Sequence, residues 1–338
     1  MSDGPWDSTR PAVSTKALRK SFQVGKSKVE AVSGIDLTVP SGEIYGFLGP
    51  NGAGKTTTLR ILTTLLPIDS GEAFVAGVDV KRKPKEVRRR IGYVGQLGGS
   101  DLPATGRENL VLQGRLYGAS PAQASGRASE LIESFELSGF ADRVARTYSG
   151  GQRRRLEVAL GIMHQPEVLF LDEPTIGLDP QNRAKLWVHL RSLRASGTTI
   201  FLTTHYLEEA DALADRLAII DHGQLVAEGS PLELKRRFAG EVVSVTPKPG
   251  RVSLEDLRQE LERQPYVSEA RVEGGVIRLY VTDGAQALPL ALDRLRSDGV
   301  ALDSITVSEP SLDDVFLQQT GRSLRDASDP SSSAEVAA

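Results

Sequence analysis

Apolar residues in this chain fall into short runs bounded by glycines, with stripes at helical spacing between them. From residue 16 to 43, apolar and polar positions alternate over 29–32 and 35–39, which predicts strands joined by turns. Ile44-Tyr45-Gly46-Phe47-Leu48 is a short apolar run that enters a glycine-rich turn. Beyond it Leu59, Leu62, Leu65 and Leu66 mark one face of a helix. Residues 91–95 predict another short strand. From about 106 to 165 the positions of Leu110, Leu116, Leu131, Ile132 and Phe135 predict mostly helix. Two wholly apolar strands follow, 168–171 and 200–202, with a helix around 183–194 between them. Continuous apolar strands separated by helices predict a parallel sheet buried on both faces. Runs at 217–220 and 225–227, joined by Asp221-His222-Gly223-Gln224, predict a late hairpin.

The texture changes near Gly240. A strand at 242–245 precedes a helix from Ser253 to about Arg263, with Ser253 as N-cap and Asp256 three residues on. A strand at 270–272 turns through Gly274-Gly275 into 276–281, then come a helix near 287–296 and a strand at 304–307. That βαββαβ order is the ferredoxin-like unit. A last short helix opens at Ser311 with Asp314 as its capping partner. Residues 1–12 are polar and aperiodic and predict a flexible arm. The Ser-, Ala- and Asp-rich stretch after Gly321 predicts a disordered tail.

Composition narrows the function classes. The 338 residues hold 41 Lys plus Arg against 44 Asp plus Glu, a net charge of -3. That excludes a polycation holding nucleic acid by bulk charge. With no cysteine there are no disulfides, cysteine-ligated zinc sites, iron–sulfur clusters or thiol nucleophiles. No apolar run has the roughly 18 residues a bilayer span requires. The opening residues lack the basic-then-apolar pattern of a secretion signal, so a cytoplasmic chain is expected.

Gly49-Pro50-Asn51-Gly52-Ala53-Gly54-Lys55-Thr56 fits the phosphate-loop pattern G-x-x-x-x-G-K-[ST], between an apolar strand and a helix. Glycines let backbone N–H groups close around phosphate oxygens, and the following helix adds the positive end of its dipole. Lys55 is expected to reach the β- and γ-phosphates of ATP and the Thr56 hydroxyl to hold Mg²⁺, with Thr57 beside it among the nucleotide-binding candidates. The strand 168–171 runs into Asp172-Glu173, a pair of acids costly to bury without charged partners. Asp172 suits the Mg²⁺ shell, and Glu173 suits a base or water-orienting carboxylate for phosphoryl transfer to water.

With these goes Tyr148-Ser149-Gly150-Gly151-Gln152, then Leu171-Asp172-Glu173-Pro174, Gly177-Leu178-Asp179 and a downstream His205. Together, in this order over about residues 13 to 237, they resemble the ATP-binding-cassette (ABC) ATPases, whose signature usually reads Leu-Ser-Gly-Gly-Gln. The resemblance implies a core of a parallel sheet with antiparallel β and helical subdomains, the latter over about 97–165. It places Phe22 where an aromatic stacks on adenine. Gln96 matches the glutamine that touches Mg²⁺ or the attacking water, Asp179 the aspartate at the subunit boundary, and His205 the histidine that contacts the γ-phosphate. His164, His189 and His222 read as structural. Ser149, Gly150, Gly151 and Gln152 are expected to face ATP held by a second ATPase subunit, in a head-to-tail, two-fold pair.

Thr147-Tyr148-Ser149-Gly150-Gly151 and the run 310–317 further resemble the daunorubicin-resistance type of bacterial exporter ATPases. This implies an ATP-hydrolysing exporter subunit, peripheral on the cytoplasmic face of the membrane, that drives efflux of a lipophilic drug or lipid through a separate integral membrane permease. Residues 241–320 would then be a regulatory or dimer-supporting domain, or one that only covers apolar surface of the ATPase core. A soluble ABC ATPase of DNA repair or translation, and an importer, are the alternatives. Repair members carry zinc-binding cysteines or long coiled coils, and translation members carry two cassettes, none of which occurs here. The run Lys81-Arg82-Lys83-Pro84-Lys85-Glu86-Val87-Arg88-Arg89-Arg90 reads first as a solvated face and second as a contact for anionic lipid. No aromatic residues are interleaved for base stacking, so no nucleic-acid partner is expected.

Overall fold

The structure, a computed structural model, describes residues 10–238, 240–248, 253–321 and 323–324. Most of the expected arm at 1–12, and nearly all of the expected tail at 321–338, lie outside the described residues. The chain divides into two compact units, Met1–Glu228 and Gly229–Ala338.

The first unit opens with long strands β1 (Val13–Val24) and β2 (Ser27–Val39), paired antiparallel. The runs expected at 29–32 and 35–39 are parts of this one strand. Its buried positions are Val32, Ile35, Leu37 and Val39, and the odd step between Val32 and Ile35 coincides with a register shift against Leu18 and Arg19. A bulge there resets the alternation and lets one strand look like two. Next come β3 (Ile44–Leu48), α1 (Lys55–Leu62), β4 (Ser70–Val75), β5 (Val78–Asp79), α2 (Pro84–Arg90) and β6 (Ile91–Val94). A helical stretch follows: α3 (Gly106–Leu116), α4 (Pro121–Ser134) and α5 (Gly150–Gly161), each entered through a capping box, at Thr105, Ser120 and Ser149. Then β7 (Val168–Asp172), α6 (Pro180–Ala195), β8 (Thr199–Thr204), α7 (Leu207–Leu213), β9 (Arg216–Asp221) and β10 (Gln224–Gly229) complete it.

Two sheets result. One is antiparallel, in the order β2-β1-β4-β5, and the other runs β10-β9-β3-β8-β7-β6. In the second, β9, β3, β8, β7 and β6 are mutually parallel. Alternate residues of the same strands feed two cores. Tyr45, Phe47, Phe170 and Phe201 pack toward the antiparallel sheet, while Ile44, Leu169, Leu171, Ile200 and Leu202 pack toward the helices. Burial on both faces explains why these strands read as unbroken apolar runs. The order β3-β8-β7 also brings three strand ends, Leu48, Thr204 and Asp172, side by side. Ligands of open α/β sheets bind at this carboxyl edge.

The second unit contains α8 (Pro231–Phe238), β11 (Glu241–Pro247), α9 (Leu254–Glu262), β12 (Val267–Glu273), β13 (Val276–Val281), α10 (Gly284–Ser297), β14 (Leu302–Ser308) and α11 (Leu312–Thr320). Its antiparallel order, β12-β13-β11-β14, is the ferredoxin-like arrangement. Val243, Val245, Ile277 and Leu279 face Leu257, Leu261, Ala291 and Leu295 of the two covering helices. The ATPase domain expected over 13–237 ends earlier, at Glu228, because α8 packs with α11 in the second unit.

Candidate active site

The phosphate loop links β3 to α1. Gly52 and Gly54 have φ of +82° and +101°, in the region that favours glycine. Close approach adds to this at Gly54, where a Cβ would lie 2.2 Å from the Ala31 carbonyl oxygen. Gly49 is constrained in the same way, 2.3 Å from the Ile220 carbonyl oxygen. The turn after β9 braces the loop, since the Gly223 N–H donates to the Ala53 carbonyl at 3.0 Å. No side chain caps α1, so its first N–H groups are open to an anion. The Lys55 ammonium donates to the carbonyls of Gly49 (2.7 Å) and Pro50 (2.9 Å) and lies 3.5 Å from the Glu173 carboxylate. Burial holds Lys55 below the usual lysine pKa, although Glu173 and Asp172 oppose the shift.

Asp172 ends β7 and is buried. Its Oδ1 accepts from the hydroxyls of Thr203 (2.7 Å) and Thr56 (3.0 Å). Glu173 follows with a left-handed φ of +46°, rare outside glycine. The strained turn is held on two sides. The Glu173 N–H donates to both the backbone carbonyl and the hydroxyl of Thr203, each at 3.1 Å. Arg154, buried on α5, donates to the carbonyls of Pro174 (2.7 Å), Asp172 (3.1 Å) and Glu173 (3.4 Å). The His205 Nδ1 lies 3.2 Å from the Glu173 Oε1. Burial pushes the Glu173 carboxyl up, but His205 and Lys55 outweigh it and leave the group below its usual range.

The structure therefore brings Lys55, Thr56, Asp172, Glu173 and His205 together at one strand edge. The donor set fits a magnesium–nucleotide: hard oxygens on Thr56 and Asp172, with remaining positions left to phosphate and water, beside a loop whose Gly49 and Gly54 pack on neighbouring backbone too closely for any Cβ. Ser149, Gly150, Gly151, Gln152 and Asp179 form a second group. Ser149 caps α5, while Asp179 caps α6 through the Asn182 N–H at 2.9 Å. The Asn182 side chain packs so closely on Gly151 that a Cβ there would meet its Cγ at 2.3 Å. Phe22 is partly exposed on β1, with the Lys20 ammonium 5.6 Å from its ring centre. Gln96 is exposed just beyond β6. Among the described residues no hydrogen bond ties Phe22, Gln96 or Asp179 to the Lys55–Glu173 cluster. His164 stacks on Tyr117 (3.7 Å between centroids) and His189 on Phe135 (4.9 Å), which fits the structural reading of both.

Three contributors escape the motif reading. Arg154 stands one turn into α5 inside a run of three arginines, two of which, Arg154 and Arg155, are buried, and composition cannot tell which of them reaches the turn at Glu173. Thr203 sits in a wholly buried strand and reads as core. Glu209 is fully buried on α7, with Trp187 donating to it at 3.3 Å; burial raises its pKa. Its only sequence signal is an acid one turn past His205.

Residues 32–176 match the ABC transporter family, and residues 229–320 match the C-terminal domain of ATP-binding proteins of the DrrA1-3-like type. The chain is 44% identical over 327 residues to the daunorubicin/doxorubicin resistance ATP-binding protein DrrA of Streptomyces peucetius, covering 94% of each chain. It is 42% identical over 315 residues to the doxorubicin resistance ATP-binding protein DrrA of Mycobacterium tuberculosis, covering 91% of this chain and 93% of that one. It is 40% identical over 315 residues to the Nod factor export ATP-binding protein I of Paraburkholderia xenovorans, covering 93% and 99%. Among solved structures, a dimeric ATP-binding cassette in a post-hydrolysis state with ADP and phosphate superposes with a TM-score of 0.60 at 26% identity, over 64% of this chain and 98% of that one.

Proposed function

The chain belongs to the ABC transporter ATP-binding proteins of the daunorubicin/doxorubicin-resistance type, and we propose how its residues power export. It is the ATP-binding and ATP-hydrolysing subunit of an exporter. The phosphate-loop N–H groups and the α1 terminus take the β- and γ-phosphates, and Lys55 swings from its loop carbonyls onto them. Thr56 and Asp172, with Gln96 from the end of β6, would hold Mg²⁺, which supplies charge neutralisation on the phosphates. Glu173, ionised and aimed by His205, accepts the proton of the attacking water, a role worth roughly 10²–10⁴ in rate. His205 also contacts the γ-phosphate, and Phe22 stacks on the adenine. Ser149, Gly150, Gly151 and Gln152, grouped with Asp179, meet the nucleotide of a second subunit, so that ATP closes a two-fold pair and hydrolysis opens it.

No helix among the described residues is long and apolar enough to cross a membrane, and we assign the transport path to a separate integral permease. An open groove of about 580 Å³ beside Gln96 supports this partner. Tyr93, Tyr117 and His164 line it, and Leu97 stands fully exposed at its rim. A permease segment seated there would sense the position of Gln96. The relatives' names give daunorubicin and doxorubicin resistance and Nod factor export; we assign this subunit a lipophilic drug or lipid as cargo and a place at the cytoplasmic membrane face.

The observation that carries the reading is the convergence of Lys55, Thr56, Asp172, Glu173 and His205 on adjacent strand ends. Its test is Glu173→Gln, tagged and purified from native membranes with ATP present. Turnover falls at least about 100-fold, ATP drives the protein to a dimer on a sizing column, and a multi-span protein co-purifies in stoichiometric amount. Ribosomal or DNA-bound partners alone would move the chain to the soluble class of the family.

A further inference from the structure

Helix α2 has an outer face made only of cations. Val87 is buried beneath it, while Lys85, Arg88 and Arg89, at i, i+3 and i+4, share the opposite side and are exposed. Lys81, Arg82 and Lys83, all exposed, extend the charge into the preceding turn. Part of it is neutralised locally: Arg82 lies 3.5 Å from Asp79, Lys83 is 3.2 Å from Glu86, and Glu86 also pairs with Arg90 at 3.1 Å. Among the described residues Lys81, Lys85 and Arg89 make no ion pair; Glu72, Asp79 and Glu86 line a recess with Lys81, while Lys85 and Arg89 stand exposed on α2. Clustering like charges costs free energy unless something anionic meets them.

The position of this face limits what that something is. Arg88 lines the groove beside Gln96, together with Leu65. Leu65, half-exposed, continues with Pro67 into a shallow recess of about 260 Å³ closed by Lys81 and Pro84. Exposed apolar side chains and unpaired cations thus alternate along one strip that borders the groove. Cations meeting phosphate and short apolar side chains meeting the level below it is the pattern of a bilayer interface. No exposed aromatic side chain lies within the strip from 81 to 90 to stack a base.

We infer that Lys81, Lys85 and Arg89, with Arg88 and Leu65 beside them, dock this subunit on anionic lipid headgroups next to its permease. This rests on the reading of the chain as a membrane-docked ATPase, but its test needs no permease. Purified full-length protein is sedimented with vesicles of equal parts phosphatidylglycerol and phosphatidylcholine, and with vesicles of phosphatidylcholine alone. Binding is expected to the anionic vesicles only and to fade at about 0.5 M salt. The triple variant Lys81→Glu/Lys85→Glu/Arg89→Glu is expected to lose on the order of 100-fold in partitioning, with ATP binding intact as the sign that it folds. If the reversal fails to fold, the neutral triple variant Lys81→Gln/Lys85→Gln/Arg89→Gln carries the same test. A reversal spread over Lys26, Lys28 and Arg143 keeps vesicle binding, which separates local docking from net charge. Equal partitioning of the triple variant and the unaltered protein overturns the inference, as does absence of binding to anionic vesicles or tighter binding to single-stranded nucleic acid through the same residues. None of these outcomes touches co-purification with a permease, whose failure would strike the function itself.

Discussion

The Arg154 guanidinium donates to the carbonyl oxygen of Gly95 at 2.8 Å. Gly95 immediately precedes Gln96, and the same guanidinium holds the carbonyls of Asp172 and Pro174 on either side of Glu173. One buried side chain on α5 therefore fastens the helix that begins with Ser149-Gly150-Gly151 to both the end of β6 and the turn that carries Glu173. Glu157, itself buried, accepts from Arg154 at 3.1 Å and completes the arrangement.

Arg154→Ala removes the cation hydrogen-bonded to buried Glu157 and leaves it only the longer-range influence of Arg153, a loss of about 3 kcal/mol. Arg154→Lys keeps the charge but not the fork that reaches several acceptors at once. Both variants are expected to lower ATP turnover by roughly tenfold or more, a loss of about 1.4 kcal/mol in transition-state stabilisation. Nucleotide affinity stays within a few-fold, because the phosphate loop is untouched. Turnover and a fluorescent-nucleotide titration on the same preparations check this. Full turnover in Arg154→Lys would show that charge alone suffices.

Tyr148, standing where the family usually has leucine, is buried and donates its hydroxyl to the Phe140 carbonyl at 2.7 Å. Its ring meets Phe140 edge-on at 4.8 Å. The hydroxyl occupies space that only a glycine at 106 leaves free, since a Cβ there would come within 2.3 Å of it. Gly106→Ala is expected to destabilise by about 1–3 kcal/mol. Adding Tyr148→Phe, which removes the clashing oxygen, recovers part of that loss. Thermal melts of the four proteins of the double-mutant cycle measure the coupling; strictly additive losses would mean the clash is relieved elsewhere.

In the second unit the Asp314 carboxylate accepts from the Tyr280 hydroxyl (2.6 Å), Arg278 (3.0 Å) and the Ser311 hydroxyl and N–H (each 2.7 Å). Burial would raise its pKa, but Tyr280, Ser311 and Arg278 outweigh burial and hold it below the usual range. A folded pKa below the unfolded one gives stability that is present above the unfolded value and lost as pH falls through the folded one. Asp314→Asn is therefore expected to weaken this unit at pH 7, by about 2 kcal/mol. The gap to the unaltered protein closes in acid below the aspartate range. Hydrogen exchange of peptides covering 276–281 and 312–320 reads the change locally, and a gap independent of pH would assign the loss to packing.

Glu209 carries the opposite sign. Its burial raises the folded pKa, so its ionisation opposes folding as pH rises from the unfolded glutamate value toward the folded one. Glu209→Gln keeps an acceptor for the Trp187 N–H and removes the charge. The variant is expected to melt at or above the unaltered protein at pH 8, the difference shrinking toward pH 4. Melts across that range decide it, and a variant less stable at pH 8 would mean the carboxylate is ionised and paired in the fold.

How much of this is legible in sequence follows from the range of each interaction. The phosphate loop, the cap at Ser149, the capping box at Ser311 and the acidic end of β7 depend on residues within a few positions of one another, so local pattern determines them. The βαββαβ order of the second unit is legible for the same reason, each element being announced by its own period and turn. What the tertiary structure decided is everything that needs strand order. Placing β8 between β3 and β7 makes Thr203 the bridge between Asp172 and the Glu173 backbone and lets His205 reach Glu173. Arg154 and Arg155 both enter the core, and only the folded chain gives Arg154 the carbonyls of Gly95, Asp172 and Pro174 while Arg155 takes that of Phe135. The odd spacing of Val32 and Ile35 split β2 into two apparent strands, because a bulge is defined by the partner strand and not by the strand that contains it. Local periodicity carries no information about a neighbour fixed more than a hundred residues away by the burial of both faces of one sheet.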